Sequence, residues 1–296
     1  METNILTSVI LPLSLVIIML GMGTTLVLAD FKRVLIYPKA VAIGIVGQIL
    51  ILPVVGFLFA SQFGLKPEYA VGVMVLVACA GGATSNMIVY LAKGDVALSV
   101  TLTAISSCIT VISIPFIINF ALHEFMGASD DAVLPIGTTN MKLFAFTLLP
   151  VMLGMWLRHK FTALAIKLEK PMNRFASVLF VLIVCSIMFQ ERAGLVETML
   201  TAGPVAYGLN FITMVLGFSA ARAFKLNDRQ SIAISIEVGV QNSATGIIIA
   251  TTMLHNAEIA IIPAVYSLIM YLNAGLLIGL MQVYMKRRAT TVAKAI

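Results

Sequence analysis

Residues 235–242 read SIEVGVQN, and they place one carboxylate and two side-chain amides inside an otherwise apolar run. The polar groups belong to Glu237, Gln241 and Asn242, and Gly239 lies between them. A carboxylate at membrane depth costs several kcal/mol unless a partner offsets its loss of water, and it marks an ion or substrate path by default. This stretch therefore predicts a bound partner for Glu237 and a local interruption of the helix.

The composition of the chain around this stretch is that of a membrane protein. The 296 residues are 60% hydrophobic and only 11% charged, too few to cover a soluble core of this size. Apolar segments of about 20 residues, the length that crosses the hydrocarbon layer, recur along the chain. The sequence predicts an all-α polytopic membrane protein, one unit over 1–296, whose nine transmembrane helices cover approximately 5–29, 40–62, 69–92, 96–122, 141–158, 174–190, 199–221, 230–254 and 257–285.

Basic residues fall on one side of this arrangement. Sixteen of the nineteen Lys and Arg residues lie in the loops after spans 1, 3, 5, 7 and 9, and only Lys66, Lys142 and Arg192 lie on the other side. Basic residues accumulate in cytoplasmic loops. We therefore expect the N-terminus outside and the C-terminus in the cytoplasm, in the cell inner (plasma) membrane. This pattern explains the net charge of +6 without nucleic acid as a partner.

Span 3 contains a second interruption, ACAGGATSN at Ala78–Asn86. Paired glycines weaken a helix, and a broken helix is tolerated in lipid only where its freed backbone groups face protein or water. Two interrupted spans in corresponding halves are typical of secondary transporters built from inverted repeats. Here spans 1–4 would match spans 6–9, with span 5 unpaired. The alternative is that the glycines only let helices pack closely, but packing faces do not need a carboxylate such as Glu237.

The groups near both breaks are almost all oxygen donors. They are the Glu237 carboxylate, the amides of Gln48, Asn86 and Gln241, the hydroxyls of Ser85, Ser99 and Thr103, and the backbone carbonyls around Val238 and Val240. An oxygen set with one negative charge suits a monovalent cation better than a divalent one, so sodium is predicted. Free N–H groups at half-helix N-termini favour an anionic substrate, to which Asn242, Thr84 and Ser243 could donate hydrogen bonds.

Other classes fit less well. An enzyme is not expected, because the three histidines lie near span ends and form no catalytic or metal cluster. The three cysteines lie in apolar runs without CxxC spacing, so neither a disulfide framework nor a zinc site is predicted. A sodium-independent exporter of organic anions or of arsenite stays open as an alternative, and so does a receptor. No obligate protein partner is evident from the sequence.

Several motifs together resemble the bile acid:sodium symporter family. They are GMGTTL (21–26), DFKRVLIYPKAVAIG (30–44), GQILILP (47–53), GGATSN (81–86), YLAKGDVALSVTLT (90–103) and IEVGVQN (236–242). The resemblance covers nearly the whole chain and implies a nine-span transporter that couples sodium to the import of bile acids or similar carboxylates by alternating access. It also implies a core domain with two crossing broken helices, approximately 40–122 and 199–285, and a panel domain, approximately 5–29 and 141–190.

The resemblance further implies two sodium sites and part of a substrate site. The first sodium site would comprise Ser85, Asn86, Ser99, Thr103 and Glu237, and the second Gln48, Glu237, Val238, Val240 and Gln241. Asn242 matches a polar residue of the substrate region. Tyr271 stands where an asparagine can line the substrate cavity, and Asn273 lies two residues further on. The sequence leaves open which of these two lines the cavity, and whether the substrate is a sterol acid or a small carboxylate.

Overall fold

The computed structural model describes residues 11–127, 144–190 and 195–295, together with Thr138, Met141 and Lys142. These ranges are helical and contain no β-strand. The first helices are α1 (Leu11–Thr25), α2 (Leu28–Lys32), α3 (Pro38–Gln62), α4 (Pro67–Ala78), α5 (Ala83–Leu91) and α6 (Val96–Met126). The others are α7 (Leu149–Lys160), α8 (Thr162–Gln190), α9 (Leu195–Ala223), α10 (Asp228–Gly239), α11 (Ser243–Ile248) and α12 (Ile261–Ala295).

Five stretches of the described chain have the length and apolar character needed to cross a bilayer, namely Pro38–Gln62, Val96–Met126, Val196–Ala223, Asp228–Met253 and Glu258–Leu280. Large apolar side chains lie exposed along them, for example Leu50, Ile112 and Leu272 at 60–68% exposure. Such surfaces are unfavourable in water but match lipid. An all-helical membrane protein is thereby confirmed, and the count of nine spans stays a prediction.

Both predicted interruptions are present. Span 3 is divided between Ala78 and Ala83, and span 8 between Gly239 and Ser243. Three further segments have wider, π-helical turns: Gly47–Ile51 inside α3, Phe144–Leu148 before α7, and Ile249–Met253 after α11. A π-helical turn lets a side chain leave the regular helix face, and such turns are frequent at functional sites. The one in α3 carries Gln48.

The connection between spans 5 and 6 is shorter than predicted. The expected start of span 6 is near residue 174, whereas α8 begins at Thr162, two residues after α7 ends. Charged residues such as Lys167 interrupt the apolar pattern, but Lys, Glu and Leu are good helix formers, so the helix continues through them. Hydropathy therefore gives the membrane-embedded part of this helix and not its full length.

Close helix packing is achieved through glycines. In α1 and α7, a Cβ on Gly154 would lie 2.8 Å from Gly23 Cα, and one on Gly23 would lie 2.2 Å from the Val151 carbonyl oxygen. In α9 and α10, a Cβ on Gly239 would lie 2.1 Å from Met214 Cγ. Small residues at such positions let the two backbones approach, as is common between membrane helices. The division into a core and a panel domain stays a prediction.

The loops that follow α5 and α9 meet at one end of the molecule. The Asp95 backbone N–H donates to the Arg229 carbonyl at 3.0 Å, and the Asp95 side chain caps α6 by accepting from the Leu98 N–H at 3.1 Å. Arg222 pairs with Asp228 at 2.7 Å in the same region. Both loops are predicted to lie on the side that holds sixteen of the nineteen Lys and Arg residues, and this contact agrees with that shared placement. Which side is cytoplasmic stays a prediction.

Substituting Gly239→Ala should destabilise the contact between α9 and α10. The added methyl would overlap Met214, and overpacking of this kind costs about 1–3 kcal/mol of unfolding free energy. The measurement is thermal unfolding in detergent. Met214→Ala in the same chain should restore part of the loss, because it removes the atom nearest the new methyl.

Gly203→Ala is the matched control for this packing prediction. Gly203 also lies in α9, and a Cβ there has no atom within 4 Å. We expect this variant to be neutral or to gain up to about 1 kcal/mol from helix propensity. Equal stability of the two alanine variants would contradict the packing argument.

Candidate functional site

The two helix breaks lie against each other. A Cβ on Gly81 would lie 3.1 Å from the Val240 carbonyl oxygen, and one on Gly82 would lie 3.6 Å from Asn242 Nδ2. The C-terminal ends of α4 and α10 therefore meet the N-terminal ends of α5 and α11 at one place. Helix C-termini carry partial negative charge and N-termini partial positive charge, so this junction offers favourable surroundings to both a cation and an anion.

Glu237 lies at this junction and reaches from α10 to α6. Its side chain is 1% exposed. Thr103 donates a hydrogen bond to Glu237 Oε1, and Ser99 donates to Oε2 at 2.9 Å. Ser99 and Thr103 share one face of α6, as their spacing of four residues predicts. The carboxylate is thus held by two hydroxyls from a single neighbouring helix.

The first turn of α5 completes this oxygen-rich group. Asn86 Oδ1 lies 2.7 Å from Ser99 Oγ and 3.4 Å from Thr103 Oγ1. Ser85 Oγ lies 3.5 Å from Thr103 Oγ1 and donates to the Gly82 carbonyl at 2.8 Å. Glu237, Asn86 and the three hydroxyls are therefore brought together, as the sequence predicts. We call these five side chains the Glu237 cluster.

The Glu237 cluster has fewer protons than acceptor positions. Each hydroxyl carries a single proton, while an ionised carboxylate and an amide oxygen carry none. Ser99 Oγ is within hydrogen-bonding distance of both Asn86 Oδ1 and Glu237 Oε2, yet it can donate to only one of them. The other oxygen then faces lone pairs, which is unfavourable in a buried site. A monovalent cation among these oxygens would remove this conflict.

A second polar group lies beside the first. Gln48 Nε2 donates to Gln241 Oε1 at 2.8 Å, and Gln241 Nε2 donates to the Val238 carbonyl at 2.7 Å. Both glutamine side chains are 2% exposed, and Gln48 Oε1 is buried with no hydrogen-bond partner. An unpaired buried amide oxygen costs about 1–3 kcal/mol, so a cation or a water molecule beside Gln48 Oε1 would be favourable. The Val240 carbonyl oxygen, like Glu237 Oε1, lies 3.1 Å from a Cβ built on Gly81.

Four of the predicted substrate residues lie at or near the N-terminal ends of α5 and α11, the helices that follow the two breaks. Asn242 caps α11 by accepting from the Thr245 N–H at 3.1 Å, while its Nδ2 faces Gly82. Ser243 Oγ is buried with no hydrogen-bond partner. Thr84 is exposed, and its side chain is within hydrogen-bonding reach of Tyr271, which is 43% exposed.

Asn273 differs from Thr84 and Tyr271, because its side chain is buried. It is 6% exposed, and its Nδ2 donates to Asn210 Oδ1 at 2.8 Å. Asn210 Nδ2 donates in turn to the Gly239 carbonyl at 2.7 Å and to Tyr266 Oη at 3.1 Å. Of the two candidates in this region, Tyr271 is therefore the one whose side chain is accessible.

Tyr266 is a residue of this region that the sequence analysis does not identify. It is completely buried and donates from Oη to the Gly239 carbonyl at 2.6 Å. The signal available in the sequence is a phenol within an apolar span, because a buried tyrosine hydroxyl usually has a partner. That signal does not reveal which backbone group the hydroxyl contacts.

The family of the chain follows from comparison with known proteins. Residues 12–199, more than half of the chain, match the model of the Sodium Bile acid symporter family. The chain belongs to this family. The resemblance inferred from the motifs is thus confirmed, and a family of sodium symporters agrees with an oxygen-donor site at the two breaks.

Individual members of the family are similar along most of the chain. The "Uncharacterized sodium-dependent transporter YocS" of Bacillus subtilis (strain 168) is 33% identical over 248 residues, 84% of this chain and 75% of the relative. The "Probable sodium/metabolite cotransporter BASS1, chloroplastic" of Oryza sativa subsp. japonica is 32% identical over 88% of this chain, which spans only 63% of that relative.

An animal relative is similar over a still larger share of this chain. The "Ileal sodium/bile acid cotransporter" of Cricetulus griseus is 28% identical over 96% of this chain and 81% of its own length. All three relatives are transporters by their printed names, which confirms the prediction that this chain is a transporter and not an enzyme.

Substituting Gly81→Ala should weaken sodium binding. The new methyl would lie 3.1 Å from both Glu237 Oε1 and the Val240 carbonyl, closer than an ordinary contact, and would displace these oxygens. We expect the sodium concentration that gives half of the thermal stabilisation in detergent to rise about tenfold, which corresponds to about 1.4 kcal/mol.

Gly82→Ala serves as the control for the Gly81 variant, because it alters the adjacent glycine of the same break. A Cβ on Gly82 meets Asn242 only at 3.6 Å, an ordinary contact, and its backbone is extended, with φ −127°. Its half-saturating sodium concentration should stay within about twofold of wild type. An equal effect of both variants would argue against a cation beside Gly81.

Proposed function

We propose that this protein is a sodium-coupled symporter that imports an organic anion, a bile acid or a similar carboxylate, by alternating access. The observation that carries the proposal is the Glu237 cluster, a buried carboxylate at the contact of two broken helices with fewer protons than acceptors. Membership of the Sodium Bile acid symporter family and the printed names of the relatives support sodium as the coupling ion.

The first sodium ion binds within the Glu237 cluster, to Ser85, Asn86, Ser99, Thr103 and Glu237. One carboxylate and several neutral oxygens neutralise a monovalent cation without the additional carboxylates that divalent cations usually require. Sodium also leaves Glu237 ionised, because the cation offsets the loss of water around the carboxylate. Ser99 can then donate its hydroxyl proton to one acceptor, while sodium contacts the other oxygens.

The second sodium ion binds on the adjacent side of α10, to Gln48, Glu237, Val238, Val240 and Gln241. The unpartnered Gln48 Oε1 supports this assignment, since it is a buried acceptor with no hydrogen-bond partner. The Val238 carbonyl now accepts from Gln241, so sodium would compete for it or share it. Because Glu237 belongs to both sets, the two ions would be coupled through one carboxylate.

The anion binds at the N-terminal ends of α5 and α11, to Asn242, Thr84 and Ser243, and to Tyr271 of α12. The unpartnered Ser243 hydroxyl and the exposed contact between Thr84 and Tyr271 support this location. Asn273 is also a substrate candidate, but it is buried against Asn210, so we assign it no direct contact with the anion. The hydrogen-bond donors of the site and the printed names of the relatives support an organic anion as the substrate.

Coupling arises because ion ligands and substrate ligands are neighbours in both breaks. Thr84 precedes Ser85 in the first break, and Asn242 follows Gln241 in the second. Sodium bound to Glu237 would hold the two breaks in one arrangement and so order the donors that meet the anion. The binding of each ligand then favours the other by the same free energy.

Sodium-driven uptake into proteoliposomes tests this function. Wild-type protein should accumulate a labelled conjugated bile acid, or one of a panel of small carboxylates, only with an inward sodium gradient. Glu237→Ala should lower the initial rate at least about a hundredfold, because it removes the charge shared by both ions. Glu258→Ala, which removes an exposed carboxylate, should transport at the wild-type rate.

Two outcomes would contradict the proposal. Uptake that proceeds equally with potassium in place of sodium would favour sodium-independent transport, and full activity of Glu237→Ala would remove the carboxylate from the mechanism. A thermal-shift screen of anions, with and without sodium, selects the substrate for the uptake assay. A true substrate should stabilise the protein more in sodium than in potassium, because the two ligands are linked.

A further inference from the structure

The geometry points to Asn210, Tyr266 and Asn273 as a buried positioning network that shapes the sodium sites without contacting sodium. This inference rests on the proposed sodium coupling and adds residues from α9 and α12 to it. The three side chains are 0%, 0% and 6% exposed. We call them the Gly239 clamp, because two of them hold the Gly239 carbonyl and the third holds Asn210.

The Gly239 clamp solves a problem created by the helix break. The last carbonyls of a helix lack N–H partners within it, and at membrane depth no bulk water replaces them. Gly239 is the last residue of α10, and its carbonyl accepts from Asn210 Nδ2 at 2.7 Å and from Tyr266 Oη at 2.6 Å. Both lone pairs of this oxygen are therefore used by side chains from other helices.

The hydrogen bonds of the clamp are mutually consistent. Asn210 Nδ2 donates to the Gly239 carbonyl at 2.7 Å and lies 3.1 Å from Tyr266 Oη, whose own proton is donated to the same carbonyl. Asn273 Nδ2 donates to Asn210 Oδ1 at 2.8 Å, which fixes the orientation of the Asn210 amide. A buried hydrogen-bonded network of this kind favours one arrangement of its side chains.

The Gly239 clamp affects the proposed sodium ligands because it fixes the direction of the backbone carbonyls after α10. Val240 is extended, with φ −99° and ψ 111°, and successive carbonyls of an extended chain point in opposite directions. When the Gly239 carbonyl is held toward α9 and α12, the Val240 carbonyl is turned the other way, toward Gly81. The Val240 carbonyl oxygen and Glu237 Oε1 are each found 3.1 Å from a Cβ built on Gly81.

Removing the clamp should therefore lower the affinity for sodium through Val240 and Glu237. In Tyr266→Phe the Gly239 carbonyl loses one of its two donors, and only a hydroxyl is removed from the side chain. We expect the half-saturating sodium concentration to rise about three- to tenfold, the range expected for the loss of one buried hydrogen bond. Asn210→Leu, which removes the other donor and leaves Asn273 without its acceptor, should have a larger effect.

Ser235→Ala provides the matched control. Ser235 also lies in α10, is 2% exposed, and donates a buried hydrogen bond to the Met214 carbonyl of α9 at 2.7 Å. Its loss should lower thermal stability about as much as Tyr266→Phe does, since one buried hydrogen bond is lost in each. Its half-saturating sodium concentration should stay within about twofold of wild type.

The experiment measures thermal unfolding of purified protein in detergent, with sodium chloride titrated against potassium chloride at constant ionic strength. The inference is supported if Tyr266→Phe raises the half-saturating sodium concentration while Ser235→Ala does not. It is overturned if both variants leave that concentration unchanged or raise it equally. A wild-type protein with no sodium-specific stabilisation would instead contradict the proposed function, so the two failures are distinguishable.

Discussion

A single carboxylate inside an apolar span is the constraint on which this structure depends. Glu237 is 1% exposed, and its two oxygens accept from Thr103 and Ser99 on α6. Burial of a carboxylate is costly, and such hydrogen-bond partners together with a bound cation or proton offset that cost. The helix that carries Glu237 also stops just after it, and the broken backbone forms the contact with the other break.

Breaking two helices at this depth raises a separate requirement, because every freed backbone group needs a partner. The structure meets it locally. Ser85 Oγ donates to the Gly82 carbonyl, Gln241 to the Val238 carbonyl, and Asn210 and Tyr266 to the Gly239 carbonyl. The glycines at the breaks instead leave room for neighbouring atoms to approach the backbone closely. A side chain on Gly81 would enter the Glu237 cluster, and one on Gly239 would overlap Met214.

Much of this arrangement could be predicted from sequence because the signals are local. A lone acidic residue in a span, two glycine-containing interruptions and the spacing of Ser99 and Thr103 each follow from short-range chemistry. The full length of α8 could not, because apolar length detects lipid contact and not helix propensity. The partners of Asn210 and Asn273 could not either. They depend on how α9 and α12 pack against the end of α10, which no spacing along one helix encodes.

The polar groups proposed to bind the cation and those proposed to bind the anion lie in different places. In the proposed cycle the cation ligands come from α5, α6, α10 and the π-helical turn of α3, and all of these side chains lie deep at the contact of the breaks. The accessible substrate candidates are Thr84 at the start of α5 and Tyr271 on α12. A change at Tyr271 can therefore alter which anion fits while the Glu237 cluster keeps its geometry. Since α12 also holds Tyr266 and Asn273 of the Gly239 clamp, the same helix connects the anion to the backbone that presents Val240 to sodium.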